Sequence, residues 1–113
     1  MAKPNTFFKL TEGNGTTACT VLIRPAEDMN AVTPLNFKEN SAGDYVASQT
    51  LADALYYIEW VMLSGQGGTM QIDISDTAGK PVRGPIKDTN KTGKPFKWNA
   101  NQFKIGAAAG ATR

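Results

Sequence analysis

Few folds accommodate the stretch LADALYYIEWVML, residues 51–63, in which every even position from Ala54 to Met62 is apolar. In an extended chain Ala54, Tyr56, Ile58, Trp60 and Met62 share one face, while Leu55, Tyr57, Val61 and Leu63 share the other with Glu59. The aromatic and β-branched content of YYIEWV suits a pleated surface. A helix has support of its own, because Thr50 with Asp53 resembles a capping pair and Leu51, Leu55, Ile58 and Met62 recur at helical spacing. The strand accounts for more positions. It predicts a strand over about residues 55–63, covered on both sides like a central sandwich strand, with a helical turn near Leu51. Tyr56, Tyr57 and Trp60 are then expected in the core.

The neighbouring segments keep the same step. SGQGG reads as a turn into TMQIDISD, where Met70, Ile72 and Ile74 alternate with Gln71, Asp73 and Ser75, and the two runs together predict a hairpin. DTAGKP is a second turn, and Pro85 limits VRGPI to an edge or short strand. TFFKLTE, TACTVLIRP, AVTPLNFKE and GDYVASQTL are further strand-length segments, parted by GNG, PAEDMN and NSAG. KDTNKTGKP, residues 87–95, is expected as an exposed loop or wide hairpin, and the tail 106–113 as frayed. The whole predicts an all-β fold: an antiparallel β-sandwich, or small barrel, of about 6–8 short strands in a single domain. A length of 113 residues suffices for one such core without disulfides or metal.

What is missing narrows the chemistry. There is no histidine, which removes Ser-His-Asp and Cys-His arrangements and the usual zinc sites. The single cysteine, Cys19, allows no intrachain disulfide and sits in an apolar strand as a packing residue. Asp73 with Asp76, and Glu27 with Asp28, are carboxylate pairs without a diagnostic context, Asp73 on the outward face of a strand and Asp76 opening a turn, and DISDTAG lacks the ligands of a calcium loop. Neither GQGG nor TGKP has the spacing of a phosphate loop. No enzyme, metal or cofactor is therefore expected. The sequons at Asn14 and Asn90 are read as chance matches in loops. The opening MAKPNTFFKLTEGNG has no apolar run of signal-peptide length, and no stretch approaches a membrane-spanning helix; the expected location is cytoplasmic, or outside the cell by release without a signal peptide.

The net charge of +2 hides a division: residues 1–76 carry four basic against nine acidic residues, and residues 77–113 carry eight basic against Asp88 alone. Within the basic third, KTGKPFKWNANQFK interleaves Lys91, Lys94, Lys97 and Lys104 with Phe96, Trp98 and Phe103, and adds Asn99, Asn101 and Gln102. Such groups attract anions, stack rings and read polar edges. Lys91, Lys94, Lys97, Trp98, Asn99, Asn101 and Lys104 are the candidate ligand-binding residues. They predict a binding module for carbohydrate, as in lectin-like sandwiches, or for an anionic surface, either membrane headgroups or nucleic acid. The competing reading makes Phe96 and Trp98 core and the lysines a solvated face. A different class is a structural or assembly protein, such as a virion or injection-apparatus component, whose acidic and basic regions meet head to tail in a homo-oligomer.

Overall fold

The structure, a computed structural model, describes residues 3–16 and 18–106. Among them are nine strands: β1 Thr6–Gly13, β2 Ala18–Pro25, β3 Thr33–Pro34, β4 Lys38–Glu39, β5 Tyr45–Gln49, β6 Ala54–Leu63, β7 Thr69–Ser75, β8 Ile86–Thr89 and β9 Phe96–Ile105. They form two antiparallel sheets, in the orders β4-β5-β1-β7-β8 and β3-β2-β6-β9. The architecture is thus the all-β sandwich expected from the alternation, and β3 and β4 are bridges of two residues rather than full strands. No helix long and apolar enough to cross a membrane occurs among the described residues.

Alternation explains how the layers meet. Phe8 and Leu10 of β1 and Met70, Ile72 and Ile74 of β7 point inward from the five-stranded sheet; Val21, Ile23, Tyr56, Ile58, Trp60 and Met62 answer them from the four-stranded one. Phe103 joins the layers, stacked on Tyr56 at 5.4 Å and meeting Phe8 edge-on at 5.9 Å. Each such side chain removed from water contributes on the order of 2 kcal/mol.

Four expectations are corrected. The strand β6 is covered on one side only: Tyr56 and Trp60 are core, but Tyr57, Val61 and Leu63 on the odd face are exposed. A two-layer sandwich gives each sheet one inner face, and an apolar run cannot encode a third layer. Second, β6 and β7 are not a hairpin. β6 pairs with β2 and β9, and β7 with β1 and β8, so SGQGG carries the chain from one sheet to the other. That crossing is tight, since a Cβ on Gly68 would collide with the side chain of Ser64. Third, residues 51–53 form no helical turn. Asn5 occupies the backbone groups of Leu51 instead, its Nδ2 donating to Leu51 O at 2.8 Å and its Oδ1 accepting from Leu51 N at 2.9 Å. Fourth, the expected loop 87–95 begins as β8, and both Asp88 and Asn90 are buried in it. The sequon at Asn90 is therefore inside the fold, while Asn14 occupies an exposed turn with φ 52°. The expected fraying of 106–113 falls, from residue 107 onward, outside the described residues.

Candidate functional site

Strand β9 is an edge strand of ten residues, and its alternation divides the predicted binding residues between two directions. Phe103 and Ile105 are buried, which sets the odd positions toward the other sheet. Lys97 follows them: its Nζ donates to Asp88 Oδ1 at 2.5 Å and to Thr89 O at 3.0 Å, across the seam between β9 and β8. Asp88 also accepts from the Trp60 indole N–H at 2.8 Å. Burial alone would raise the Asp88 pKa, but the hydrogen bonds from Lys97, Trp60 and the Thr89 amide, with the Lys97 charge, outweigh it and hold the carboxyl below its ordinary value. Lys97 thus serves as a counterion to Asp88 within the fold.

The even positions face outward. Trp98 is 62% exposed and Phe96 52%, so the reading that makes them core does not hold. In the β6–β9 register Phe96 lies opposite Leu63, Trp98 opposite Val61, Ala100 opposite Glu59 and Gln102 opposite Tyr57. On the far side of β6, Val61 faces Thr20, Glu59 faces Leu22 and Tyr57 faces Arg24. Among the described residues, five of the eight exposed large hydrophobics lie on this outer face: Tyr57, Val61, Leu63, Phe96 and Trp98. Two more, Met29 and Val32, belong to the β2–β3 connection, which Arg24 ties to the face by donating from Nη1 to Met29 O at 2.9 Å.

One carboxylate organises the centre. Glu59 Oε1 pairs with Arg24 Nη2, and Glu59 Oε2 accepts the Trp98 indole N–H at 3.1 Å. Trp98 reaches Glu59 diagonally, since Glu59 stands opposite Ala100; the indole is thereby laid along the sheet toward a small side chain. Replacing Glu59 by alanine is expected to move the Trp98 indole N–H resonance toward its free position. Because the Arg24–Glu59 pair is mostly buried, the same change should lower stability by about 1–2 kcal/mol, measured by urea unfolding. An unmoved indole resonance would refute the bridge.

The remaining candidates are dispersed. Lys91 and Lys94 are exposed in the loop before β9, and Lys104 lies at its other end, about 30 Å away at some 3.3 Å per residue. Asn99 Oδ1 accepts from Ala100 N and Asn101 Oδ1 from Gln102 N, both at 2.8 Å, so these asparagines occupy backbone donors at the strand's free edge, a device against edge-to-edge pairing. A strand spreads contiguous residues along its length, and a basic cluster in sequence does not become one in space. What the sequence reading missed was the contribution of β6 and β2: Arg24, Tyr57, Glu59, Val61 and Leu63. Glu59, the lone polar position on its face, was the available signal.

The other chemical candidates are accounted for locally. Burial, followed by the negative charges of Glu12 and Asp88, pushes the Cys19 thiol up to about 12, leaving it protonated at neutral pH. Asp76 Oδ1 accepts from Ala78 N and Lys80 N, both at 2.9 Å, and so closes a turn. In the comparisons with known proteins, no family model matches the chain, and neither a curated protein nor a solved structure matches it.

Proposed function

We propose that this chain is a non-enzymatic assembly module that associates through the outer face of β2, β6 and β9, and that the surface it seats is a second copy of itself. The observation that carries this reading is Trp98, 62% exposed and ringed by Phe96, Val61 and Leu63 on a face that no described element covers. Exposed Trp and Tyr set among aliphatic side chains, with a partly buried Arg beside them, is the composition of an interface centre. The centre of the face holds one cation and one anion, Arg24 and Glu59, with Lys104 near the end of β9, so two copies meeting at the centre are not forced into like-charge contact. Strands of eight, ten and ten residues span roughly 450 Å² of flat area. Side-chain relief and the flanking Met29 and Val32 bring this toward the about 800 Å² per partner of a standard interface. The apolar content, rather than the division of charge along the chain, supports association.

The fixed indole favours a second reading, a carbohydrate platform, with Gln102 on the same face as a polar group. Val61, Leu63 and Phe96 weigh against it, because they offer no hydrogen bonds to sugar hydroxyls. An anionic surface has less support still, with Lys97 engaged by Asp88 and a carboxylate at the centre of the face.

Sedimentation velocity over a concentration series at low and high salt tests the proposal. A concentration-dependent dimer that persists in high salt is expected, and Trp98→Ala with Val61→Lys should weaken it at least about a hundredfold while the β-type far-ultraviolet spectrum is kept. A monomer at every concentration overturns it. A dimer that dissolves in salt also overturns it, in favour of the head-to-tail charge contact. Glycan retention by a monomer, lost in Trp98→Ala, would establish the second reading in its place.

A further inference from the structure

The opposite side of the sandwich carries a cleft of about 530 Å³, within the range of small-molecule sites and independent of the face described above. Its floor is the outer face of the five-stranded sheet: Phe7 and Lys9 of β1, Val46 of β5 and Asp73 of β7. Its wall is the β7–β8 connection, which contributes Pro81 and Pro85. The wall is tied on two sides. Val82 N donates to Ile74 O at 2.8 Å, and Arg83 Nη1 reaches across to β9, donating to Asn101 Oδ1 at 2.9 Å and Gln102 O at 2.7 Å. A cleft held in this way loses little conformational freedom on binding.

Its charged floor groups are one of each sign; Arg83 also lines the cleft, but its guanidinium is engaged by Gly84 O, Asn101 Oδ1 and Gln102 O. Lys9 stands directly opposite Asp73 in the β1–β7 register, with Cβ atoms of such partners about 5 Å apart. Each has a weak engagement elsewhere. Lys9 Nζ is 3.8 Å from Asp44, a pair whose side chains are 49% and 41% exposed, and Asp73 accepts from the neutral Gln71 amide at 3.1 Å. Exposed pairs of this kind are held by little and are readily exchanged. A ligand bearing a single charge would engage only one of the two floor groups, and a neutral one neither. A ligand with both charges on one carbon and an apolar body satisfies the two floor residues and fills the space between Phe7, Val46 and the prolines.

We infer that this cleft binds a small zwitterion with an apolar body, of the class of free hydrophobic amino acids, its ammonium on Asp73 and its carboxylate on Lys9. Lys9 and Asp73 lie outside the core, so Lys9→Gln and Asp73→Asn keep the fold, which the dispersion of the amide spectrum verifies in each. The test is a titration with L-phenylalanine followed by amide chemical shifts, with phenethylamine, 3-phenylpropanoate and glycine as analogues lacking the carboxylate, the ammonium and the apolar body. Saturable shifts at Phe7, Val46, Asp73 and Gly79 are expected, with affinity reduced about tenfold or more for each analogue and in each variant. Equal affinity for L-phenylalanine and either singly charged analogue overturns the inference. So do shifts that map away from the cleft, or none that saturate.

Discussion

Replacing Asp88 by alanine is expected to lower the free energy of unfolding by about 3 kcal/mol at neutral pH, measured by urea denaturation. The Asp88 side chain is only 6% exposed, and it serves two donors from the opposite sheet, the Trp60 indole and the Lys97 ammonium. Truncation leaves a buried N–H without an acceptor and a half-buried cation without its counterion. Both penalties fall where the edge strands β8 and β9 close the side of the sandwich. Acid should act on the same group. The Asp88 pKa is depressed in the folded state from its ordinary 3.8, so its contribution is complete above that value and is lost as pH falls through the lower folded value. The stability gap between the native protein and the alanine variant should therefore stay constant above about pH 5 and narrow on further acidification. A gap that is constant through the acid range would exclude the carboxylate as the stabilising species.

Asn90→Ala is expected to cost a similar amount, about 3 kcal/mol, through hydrogen bonds rather than charge. Asn90 is fully buried. Its Nδ2 donates to Ser64 Oγ at 3.1 Å and Lys94 O at 2.9 Å, while its Oδ1 accepts from Thr92 N at 3.1 Å and Thr92 Oγ1 at 2.8 Å. Its backbone closes the knot, donating to Gly68 O at 2.8 Å and accepting from Gly67 N at 2.6 Å. One side chain thus joins the β6–β7 crossing to the loop that carries Lys91 and Lys94. Asn90→Asp should not rescue the loss, because a carboxylate cannot donate to Ser64 or Lys94. Amide hydrogen exchange should accelerate across residues 64–68 and 90–95 in the alanine variant. Unchanged exchange in both segments would show that the knot is not what holds them.

Much of the fold was legible, and the places where reading failed share a cause. Met70, Ile72 and Ile74 alternate cleanly with polar residues, and β7 is a strand with that face buried. In β6 both faces are apolar, and alternation alone could not say which one the second sheet would cover. Val61 and Met62 are equally plausible core residues in sequence, yet Met62 is fully buried and Val61 is 36% exposed. The candidate residues were divided for a related reason. Lys97 and Trp98 are adjacent in the chain, and the pleat sends one across the seam to Asp88 and the other outward onto the face shared with Val61 and Glu59. Asn90 looked like a loop residue because its neighbours are polar. Its burial depends on Ser64 and Lys94, whose approach no local pattern records.

The chain's own order of residues was enough to determine an antiparallel two-layer body, the strands that would bury a face, and the absence of histidine-based chemistry. Period-two patterning and composition are local properties, read without knowing what lies opposite. Which strands pair, which face of β6 turns inward, and which charges meet were decided only when two sheets closed on each other. Those are contacts between residues far apart in the chain, and their energies depend on what has been excluded from water on both sides at once.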